Sequence, residues 1–461
     1  MIKKNPILVP ELREMLESGD SKTLRDFCES GHPAIISEMI SALSSEEAWR
    51  VILNAESSLR SEIFSHLDID IQVEIVKMLN RKEIASLMSD MYADDRADLY
   101  KQLPEELREN VLPALAQAER EDIRRLSSYK EGTAGAAMTS EYVVLTPNLS
   151  AAQAMDRLRE VAPDKETIYY AYVVDETRKL LGQVSLKDLI IARRDTRVGD
   201  IMNQDVVFAR VEDDQEDVAR KIQKLDLIAL PVINGGDALV GIVTHDDAMD
   251  IISQEQTEDI EKLMAIVGAH EDAVYMKTSA LGHFRNRYPW VIVLAFLGLV
   301  SGFIVQSFEG LLMQFTILAA FMPMLADTGG NTGSQSATLV VRALALKEVS
   351  TKDILRILAK EFSVAIMLAL LLGVIAFGRV FFFSGEMNMH DSIPIIRIAF
   401  AISLALGLQV ITSTLVGALL PLGAAKMKWD PAVVASPALT TIVDITGLLI
   451  YFTTARLLSG I

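Results

Sequence analysis

The pattern of apolar and polar positions changes three times along the chain. From residue 1 to about 130, apolar residues recur at helical spacing in short bursts, which predicts a soluble helical domain. A weak internal repeat lies within it: Leu67-Asp-Ile-Asp-Ile-Gln-Val-Glu-Ile-Val-Lys-Met-Leu79 aligns with Met91-Tyr-Ala-Asp-Asp-Arg-Ala-Asp-Leu-Tyr-Lys-Gln-Leu103 at an offset of 24 residues. The alignment puts Asp70 on Asp94, Ile75 on Leu99 and Leu79 on Leu103, as short stacked helices in a small solenoid would. From about 134 to 256, short Val/Ile-rich strands alternate with helical stretches, predicting α/β units. From Asp246 the spacing predicts a long helix with Met249, Ile252, Ile260, Leu263 and Val267 on one face. Asp247, Asp250, Glu258 and Glu261 share another face, flanked by Glu255 and Asp259.

Five apolar segments follow, at about 290–306, 311–346, 362–383, 393–422 and 432–458. Each is near or beyond the roughly 20 residues that cross about 30 Å of hydrocarbon. The second is interrupted by the polar run Pro323-Met-Leu-Ala-Asp-Thr-Gly-Gly-Asn-Thr-Gly-Ser-Gln-Ser-Ala-Thr338, so a break at its Gly-rich centre is expected. Polar backbone at that depth is tolerated only inside protein or beside a wet cavity. The run therefore points to a path through a membrane.

Charge divides the chain in the same place. The formal net charge is −18, yet residues 288–461 hold 10 Lys+Arg against 9 Asp+Glu, leaving 34 against 53 in residues 1–287. The acidic excess lies in the N-terminal part, which argues for cations and against nucleic acid as partners. The single Cys28 excludes an internal disulfide and fits a reducing compartment. Met-Ile-Lys-Lys-Asn-Pro at the N-terminus has no apolar core behind it, so no cleavable signal peptide is expected. Flanking positive charge predicts the orientation. Lys277, Arg285, Arg287, Arg342, Lys347, Lys352, Arg356, Lys360, Lys426 and Lys428 fall on one side, and Arg379, Arg397 and Arg456 on the other. With five crossings this places the acidic domains in the cytoplasm and the C-terminus outside.

Two charges lie within the apolar segments at informative places. Asp327 precedes the Gly pair, and Asp444 sits midway along the last segment, in Pro437-Ala-Leu-Thr-Thr-Ile-Val-Asp-Ile-Thr-Gly447. A carboxylate there costs on the order of 3 kcal/mol on insertion scales, which makes Asp444 a functional candidate. Thr440 and Gly447 share its helix face, and Pro437 frees a main-chain carbonyl one turn back. With the amide of Asn331 these are hard oxygen ligands, suited to Mg²⁺, Mn²⁺ or Ca²⁺. His390 is the one His, and there is no Cys, in this half, so copper or zinc is poorly supported. A carboxylate buried against a polar partner on another helix is the plainer alternative. Asp94, Asp95 and Asp98 form an acidic knot that also reads as an ordinary helix N-terminus. Gly329-Gly-Asn-Thr-Gly-Ser334 lacks the Gly-Lys-Ser/Thr end of a phosphate loop, and Asp164-Lys-Glu-Thr167 is not the phosphorylated sequence of ion pumps. Passive movement down a gradient is expected.

Two resemblances carry specific residues. Ala137-Met138 with Tyr142-Val-Val-Leu matches Ile201-Met202 with Val206-Val-Phe, and Leu181-Gly-Gln-Val-Ser-Leu-Lys-Asp-Leu189 matches Val240-Gly-Ile-Val-Thr-His-Asp-Asp-Ala248. This resembles a tandem pair of CBS domains. That resemblance implies an adenosine-binding Ser/Thr-x-x-Asp motif, with Ser185, Asp188, Thr244 and Asp247 as candidates for ATP or a related nucleotide. The order of a helical domain, paired CBS domains, an acidic helix and five spans resembles the MgtE magnesium transporters. So do Pro323 with Gly329-Gly-Asn-Thr-Gly-Ser-Gln-Ser336, Ala337-Thr-Leu-Val-Val-Arg-Ala-Leu-Ala345, and Asp430-Pro431 leading to Asp444-Ile-Thr-Gly-Leu-Leu-Ile-Tyr451.

The resemblance implies a mainly α integral membrane protein with five transmembrane helices, a cytosolic all-α superhelical N domain and an α/β tandem CBS pair. The expected boundaries are 1–130, 131–255, 246–285 for the acidic connecting helix and 286–461. It implies a homodimer in which the second and fifth spans line a Mg²⁺ pore, with Asp444 facing the ion, the Thr440 carbonyl beside it and Asn331 close by. It also implies closure by cytosolic Mg²⁺ at Asp214, Glu216, Asp226, Asp247, Asp250, Glu255, Glu258, Asp259 and Asp430, with Asp94, Asp95 and Asp98 as further picks. Asp327 departs from the small or neutral residue expected there. Other readings are a Mn²⁺ or Co²⁺ transporter, an anion channel, a membrane sensor that moves nothing, or a CBS-regulated enzyme. No HExxH, Cys/His cluster or nucleophile elbow supports the last.

Overall fold

The computed structural model describes residues 8–266, 278–383, 394–434 and 437–459. They fall into two compact units, Met1–Glu255 and Gln256–Ile461. The first opens with α1 (Val9–Ser18), α2 (Ser21–Glu29), α3 (Pro33–Ile40), α4 (Ser45–Ile52), α5 (Ser57–Ser65), α6 (Ile69–Met78), α7 (Arg81–Ser89), α8 (Ala93–Gln102), α9 (Glu105–Val111) and α10 (Gln117–Leu126). Short turns separate them because the sequence supplies caps. Ser44 and Asn80 form capping boxes with Glu47 and Glu83, and Asp20 accepts from the Thr23 amide. Packing is between each helix and the next but one: α2 on α4, α3 on α5, α4 on α6, α5 on α7, α6 on α8. The result is the all-α superhelical stack expected from the repeat, cored by Ile36, Ile40, Ile52, Phe64, Ile75 and Leu99. The two aligned segments are α6 and α8, and Ile75 and Leu99 are both buried.

Two copies of one α/β unit follow. The first holds β1 (Val143–Leu145), α11 (Ala151–Val161), β2 (Tyr170–Val174), β3 (Leu180–Ser185), α12 (Leu186–Ile191) and α13 (Val198–Ile201). The second holds β4 (Ala209–Arg210), α14 (Gln215–Leu225), β5 (Ala229–Ile233) and β6 (Leu239–Thr244). In each copy the first strand pairs parallel with the second, and the second antiparallel with the third. The copies exchange their leading segments. Thr139 exchanges amide–carbonyl hydrogen bonds of 2.8 and 3.0 Å with Ile242 of β6, and Asn203 does so with Gln183 of β3. This explains the paired Ala-Met and Leu/Val-Gly motifs. Gly241 makes room for Met138, and Gly182 for Met202.

The helix α15 (His245–Leu263) shows where amphipathic spacing fell short. Ala248 and Ile251 are its buried residues, whereas Met249 and Ile260, expected on the apolar face, are exposed. Its start is fixed by the preceding strand, so packing on the sheet core selects the Ala248/Ile251 edge. Val267 lies outside the described residues.

In the second unit α16 (Ala280–Ser307) leads into α17 (Glu309–Gln314), α18 (Thr316–Ala345), α19 (Ile354–Phe383), α20 (Ile395–Lys426), α21 (Pro431–Val434) and α22 (Pro437–Ser459). Among the described residues, four segments, 280–307, 351–383, 395–426 and 438–458, are long and apolar enough to cross a membrane. α18 has 30 residues, about 45 Å at 1.5 Å per residue, and makes the fifth long helix. The expected break at its Gly-rich centre is absent. Helix runs unbroken through residues 328–336, and the interruption lies earlier, at Phe315. The glycines serve close packing instead. Gly329 and Gly333 face Gln409 and Ser413 of α20 and Val443 of α22, and Gly417 leaves no space for a Cβ beside the Gly333 backbone. Small residues let membrane helices approach while every backbone group stays paired within its helix.

Candidate functional sites: a carboxylate cluster and an intramembrane carboxylate

Three segments of the first unit bring acidic side chains together. Asp94 lies in the first turn of α8, Asp247 in the first turn of α15, and Glu166 on the loop before β2. One carboxylate oxygen from each lies within 4.8 Å of the others, a spacing that can hold a metal ion. Asp94 Oδ1 and Glu166 Oε2 are shut off from solvent and have no hydrogen-bond partner among the described residues. Burial first, and the neighbouring Asp95 charge second, push the Asp94 carboxyl well above the usual range. Burial and the charges of Asp94 and Asp247 do the same for Glu166. Asp247 is pushed up to about 7 by burial and then by Asp94. Like charges in a partly buried site disfavour ionisation of all three, and either protons or a cation relieve them. The donors are all hard oxygen, which suits Mg²⁺ with water completing its shell. Arg96, buried nearby, is engaged by Glu141 at 3.4 Å and Glu119 at 3.9 Å.

The other acidic residues singled out from sequence are dispersed. Asp95 is raised by burial and hydrogen-bonded by Ser65. Asp98 is exposed and paired with Lys101 at 2.8 Å. Asp214 caps α14, accepting from the Glu216 amide at 2.9 Å, and Glu216 pairs with Arg220. Asp226 ends α14 in the left-handed region at φ 50°, which Asp tolerates better than most residues. Asp250 is exposed on α15, which also carries Asp259, and Glu255 accepts from Gln215 at 2.8 Å. Within the second unit, Lys262 bridges Glu258 at 2.8 Å and Asp430 at 2.9 Å. Burial opposes its charge, yet these partners carry its pKa above the ordinary lysine range.

The nucleotide candidates are helix caps. Ser185 Oγ donates to Asp188 Oδ2 at 2.6 Å and accepts from the Asp188 amide at 3.0 Å. Thr244 Oγ1 donates to Asp247 Oδ2 at 2.5 Å.

In the second unit α18, α20 and α22 pack together. Asp444 on α22 is half-buried, and its Oδ1 is enclosed without a hydrogen-bond partner among the described residues. Thr440, one turn earlier, packs over Gly330, next in sequence to Asn331. Asn331 is exposed on α18 and donates to Asp327 Oδ1 at 3.1 Å. Asp327 and Asn331 thus share one polar stripe of α18, while the glycines occupy its packed face.

Matches to known proteins follow the same division. A model of the MgtE intracellular N domain matches residues 31–132, and CBS domain models match 134–195 and 198–254. The MgtE divalent cation transporter model matches 322–454. The magnesium transporter MgtE of Thermus thermophilus is 37% identical over 454 residues, covering 98% of both chains. The chain belongs to the MgtE family. The MgtE of Bacillus subtilis is 32% identical over 392 residues, 85% of this chain and 84% of that one. A crystal structure of the cytosolic domain of the Mg²⁺ channel MgtE in complex with ATP superposes with TM-score 0.50 at 37% identity, covering 52% of this chain and 98% of that one. As an MgtE protein the chain is a membrane transporter with a cytosolic N domain, and not an enzyme.

Glu166 and Gln409 were not singled out by sequence. Glu166 sits in a loop outside any motif, far from Asp94 and Asp247 along the chain, so only folding reveals it. Gln409 did leave a signal, being an amide within an apolar span.

Proposed function

We propose that this protein passes Mg²⁺ into the cytoplasm down its electrochemical gradient and closes when cytosolic Mg²⁺ occupies its acidic soluble unit. The observation that carries the reading is Asp444: a carboxylate with an unpaired oxygen, midway along an apolar helix packed on a polar-striped one. In a homodimer, α18 and α22 of each copy would line the pore. Asp444, the Thr440 carbonyl and Asn331 would face a largely hydrated ion. Mg²⁺ sheds water reluctantly, so carboxylates that hold its hydration shell can bind it without stripping it. Binding must stay weak enough for release. The positive-inside tally supports placing the chain in the cell membrane with its C-terminus outside.

Asp94, Glu166 and Asp247 fit a regulatory Mg²⁺. Two of them have enclosed, unpartnered oxygens, and burial first, then the charges of neighbouring carboxylates, raises the pKa of all three. An ion there would neutralise repulsion and hold the joined elements together. Asp214, Glu216, Asp226, Asp250, Glu255, Glu258, Asp259, Asp430, Asp95 and Asp98 remain further candidates. ATP is a second candidate ligand, at Ser185–Asp188 and Thr244–Asp247. A ribose there would exchange the internal hydroxyl–carboxylate bonds for its own.

Mg²⁺ uptake into proteoliposomes tests the pore. Wild type is expected to carry Mg²⁺, and Asp444→Ala none. Robust flux through Asp444→Ala removes Asp444 from the pore. Flux of Mn²⁺ or Co²⁺ equal to that of Mg²⁺ would instead favour a broader divalent transporter.

A further inference from the structure

The helix α20 carries no residue assigned to ion passage, yet its buried side chains meet both helices that do. Gln409 is 1% exposed. Its Nε2 donates to the Val443 carbonyl at 3.0 Å, directly before Asp444. A Cβ built on Gly329 of α18 or on Gly447 of α22 would collide with the Gln409 amide. One turn along α20, Ser413 donates to the Gly329 carbonyl, and Thr332 of α18 donates to Ser413 Oγ at 3.3 Å. The amide is thus wedged between two glycines on different helices.

We propose that Gln409 is a positioning residue for ion passage, an amide wedge that fixes the rotation and spacing of α22 against α18 and so the seat of Asp444. The inference rests on the reading of Asp444 as the ion-facing carboxylate. Its logic is geometric. Val443 is fully buried, with its side chain against Gly329 and Gly333. Successive helical residues project about 100° apart, so the Val443 anchor sets where Asp444 points. The Val443 carbonyl accepts from Gln409 and lies in the backbone ladder of α22, while Thr446 Oγ1 donates to the Ile442 carbonyl at 2.8 Å and stands 3.1 Å from that of Val443. A carbonyl has two lone pairs, and this one is held by groups on its own helix and on α20. The Gln409 Oε1 has no hydrogen-bond partner among the described residues. Burying a polar acceptor in this way costs free energy. A Leu or Met would avoid that cost, so what the amide supplies here is its donor side.

The test separates positioning from folding by reading ion selectivity. Full-length protein in proteoliposomes is compared as wild type, Gln409→Met, Gly447→Ala, Gln409→Ser/Gly447→Ala and Asp444→Ala. Met keeps the volume and removes the donor. Gln409→Met is expected to raise the half-saturating Mg²⁺ concentration and lower the Mg²⁺-over-Ca²⁺ flux ratio, each by about five- to tenfold, inside the roughly two- to 150-fold that contacting-residue couplings span. Its elution and melting temperature should stay close to wild type. Gly447→Ala is expected to show the same defect, and shortening Gln409 to Ser in it should leave the defect in place, because the collision is relieved but the donor to the Val443 carbonyl is lost. Wild-type saturation and selectivity in folded Gln409→Met overturns the proposal. Should Gln409→Met fail to fold, the Gly447 pair decides: a defect in Gly447→Ala that persists in Gln409→Ser/Gly447→Ala supports the wedge, and wild-type saturation and selectivity in either overturns it. Asp444→Ala distinguishes the failures. If it is inactive while Gln409→Met behaves as wild type, only the wedge is wrong. If Asp444→Ala conducts, the pore reading and the wedge fall together.

Discussion

The two carboxylate sites treat charge in opposite ways. Asp94, Glu166 and Asp247 crowd three acids into one enclosed place, and desolvation with mutual repulsion raises all of them. Asp444 stands as a single acid on its helix, half-buried, one turn after the neutral hydroxyl of Thr440. A crowded cluster gains most from a cation and releases it least readily. A lone carboxylate attracts a hydrated ion without trapping it. Under the proposed function, one chemistry, hard oxygen for Mg²⁺, would serve as sensor or as path depending on how many charges are confined together.

Several experiments can break or sharpen that contrast. The largest expected effect is at Asp444: replacement by Asn, which keeps shape and removes charge, should abolish Mg²⁺ uptake while leaving Mg²⁺ protection of the soluble unit from protease intact. Next is Glu166→Gln with Asp247→Asn. Full-length protein should lose most of its Mg²⁺-induced stabilisation, about 2.7 kcal/mol for an ion at 100 times its dissociation constant. Thermal melting with and without Mg²⁺ reads this. Unchanged Mg²⁺ stabilisation in the double variant would remove the cluster as a sensor.

pH supplies the third. A carboxyl whose folded pKa is raised contributes stability that is full below its ordinary pKa and lost as pH rises through the folded value. For Asp247 that window runs from about 4 to about 7. Without Mg²⁺, protease resistance of the soluble unit should fall between about pH 4 and about pH 7. Saturating Mg²⁺ should flatten the fall, because the ion displaces the protons. A flat Mg²⁺-free profile contradicts the charge account.

Two smaller effects test packing. Gly241→Ala sets a Cβ against Met138 and the Thr139 carbonyl, and should lower stability by about 1–3 kcal/mol in denaturant melts. Lys262→Met should cost under about 1 kcal/mol, since Lys262 and its partners Glu258 and Asp430 are partly exposed.

Much of the fold was legible because it is written in periodicity. The 24-residue offset became α6 and α8, and the paired Ala-Met and Gly motifs became the exchanged segments of the two α/β copies. The Gly-rich centre of α18 was misjudged because glycine is a weak helix former locally, while its packing partners Gln409, Ser413 and Val443 lie far along the chain. The exposed Met249 and Ile260 show a similar limit, since spacing defines a stripe but not which edge of it the neighbouring sheet will cover. At the sites, Asp94 and Asp247 were legible as acids, but their companionship with Glu166 is a product of tertiary contact. Ser185 and Thr244 carry a motif whose local geometry is that of a helix cap, and a cap and a ribose site look alike in sequence.

The central claim is that conduction and sensing reside in separate carboxylate sites. Mg²⁺ flux through wild type, Asp444→Ala and Glu166→Gln, measured while Mg²⁺ on the cytosolic face is titrated, tests it most directly. The account predicts wild-type flux that shuts as cytosolic Mg²⁺ rises, no flux in Asp444→Ala at any concentration, and full flux in Glu166→Gln that resists closure. Flux in Asp444→Ala, or wild-type closure in Glu166→Gln, would contradict it.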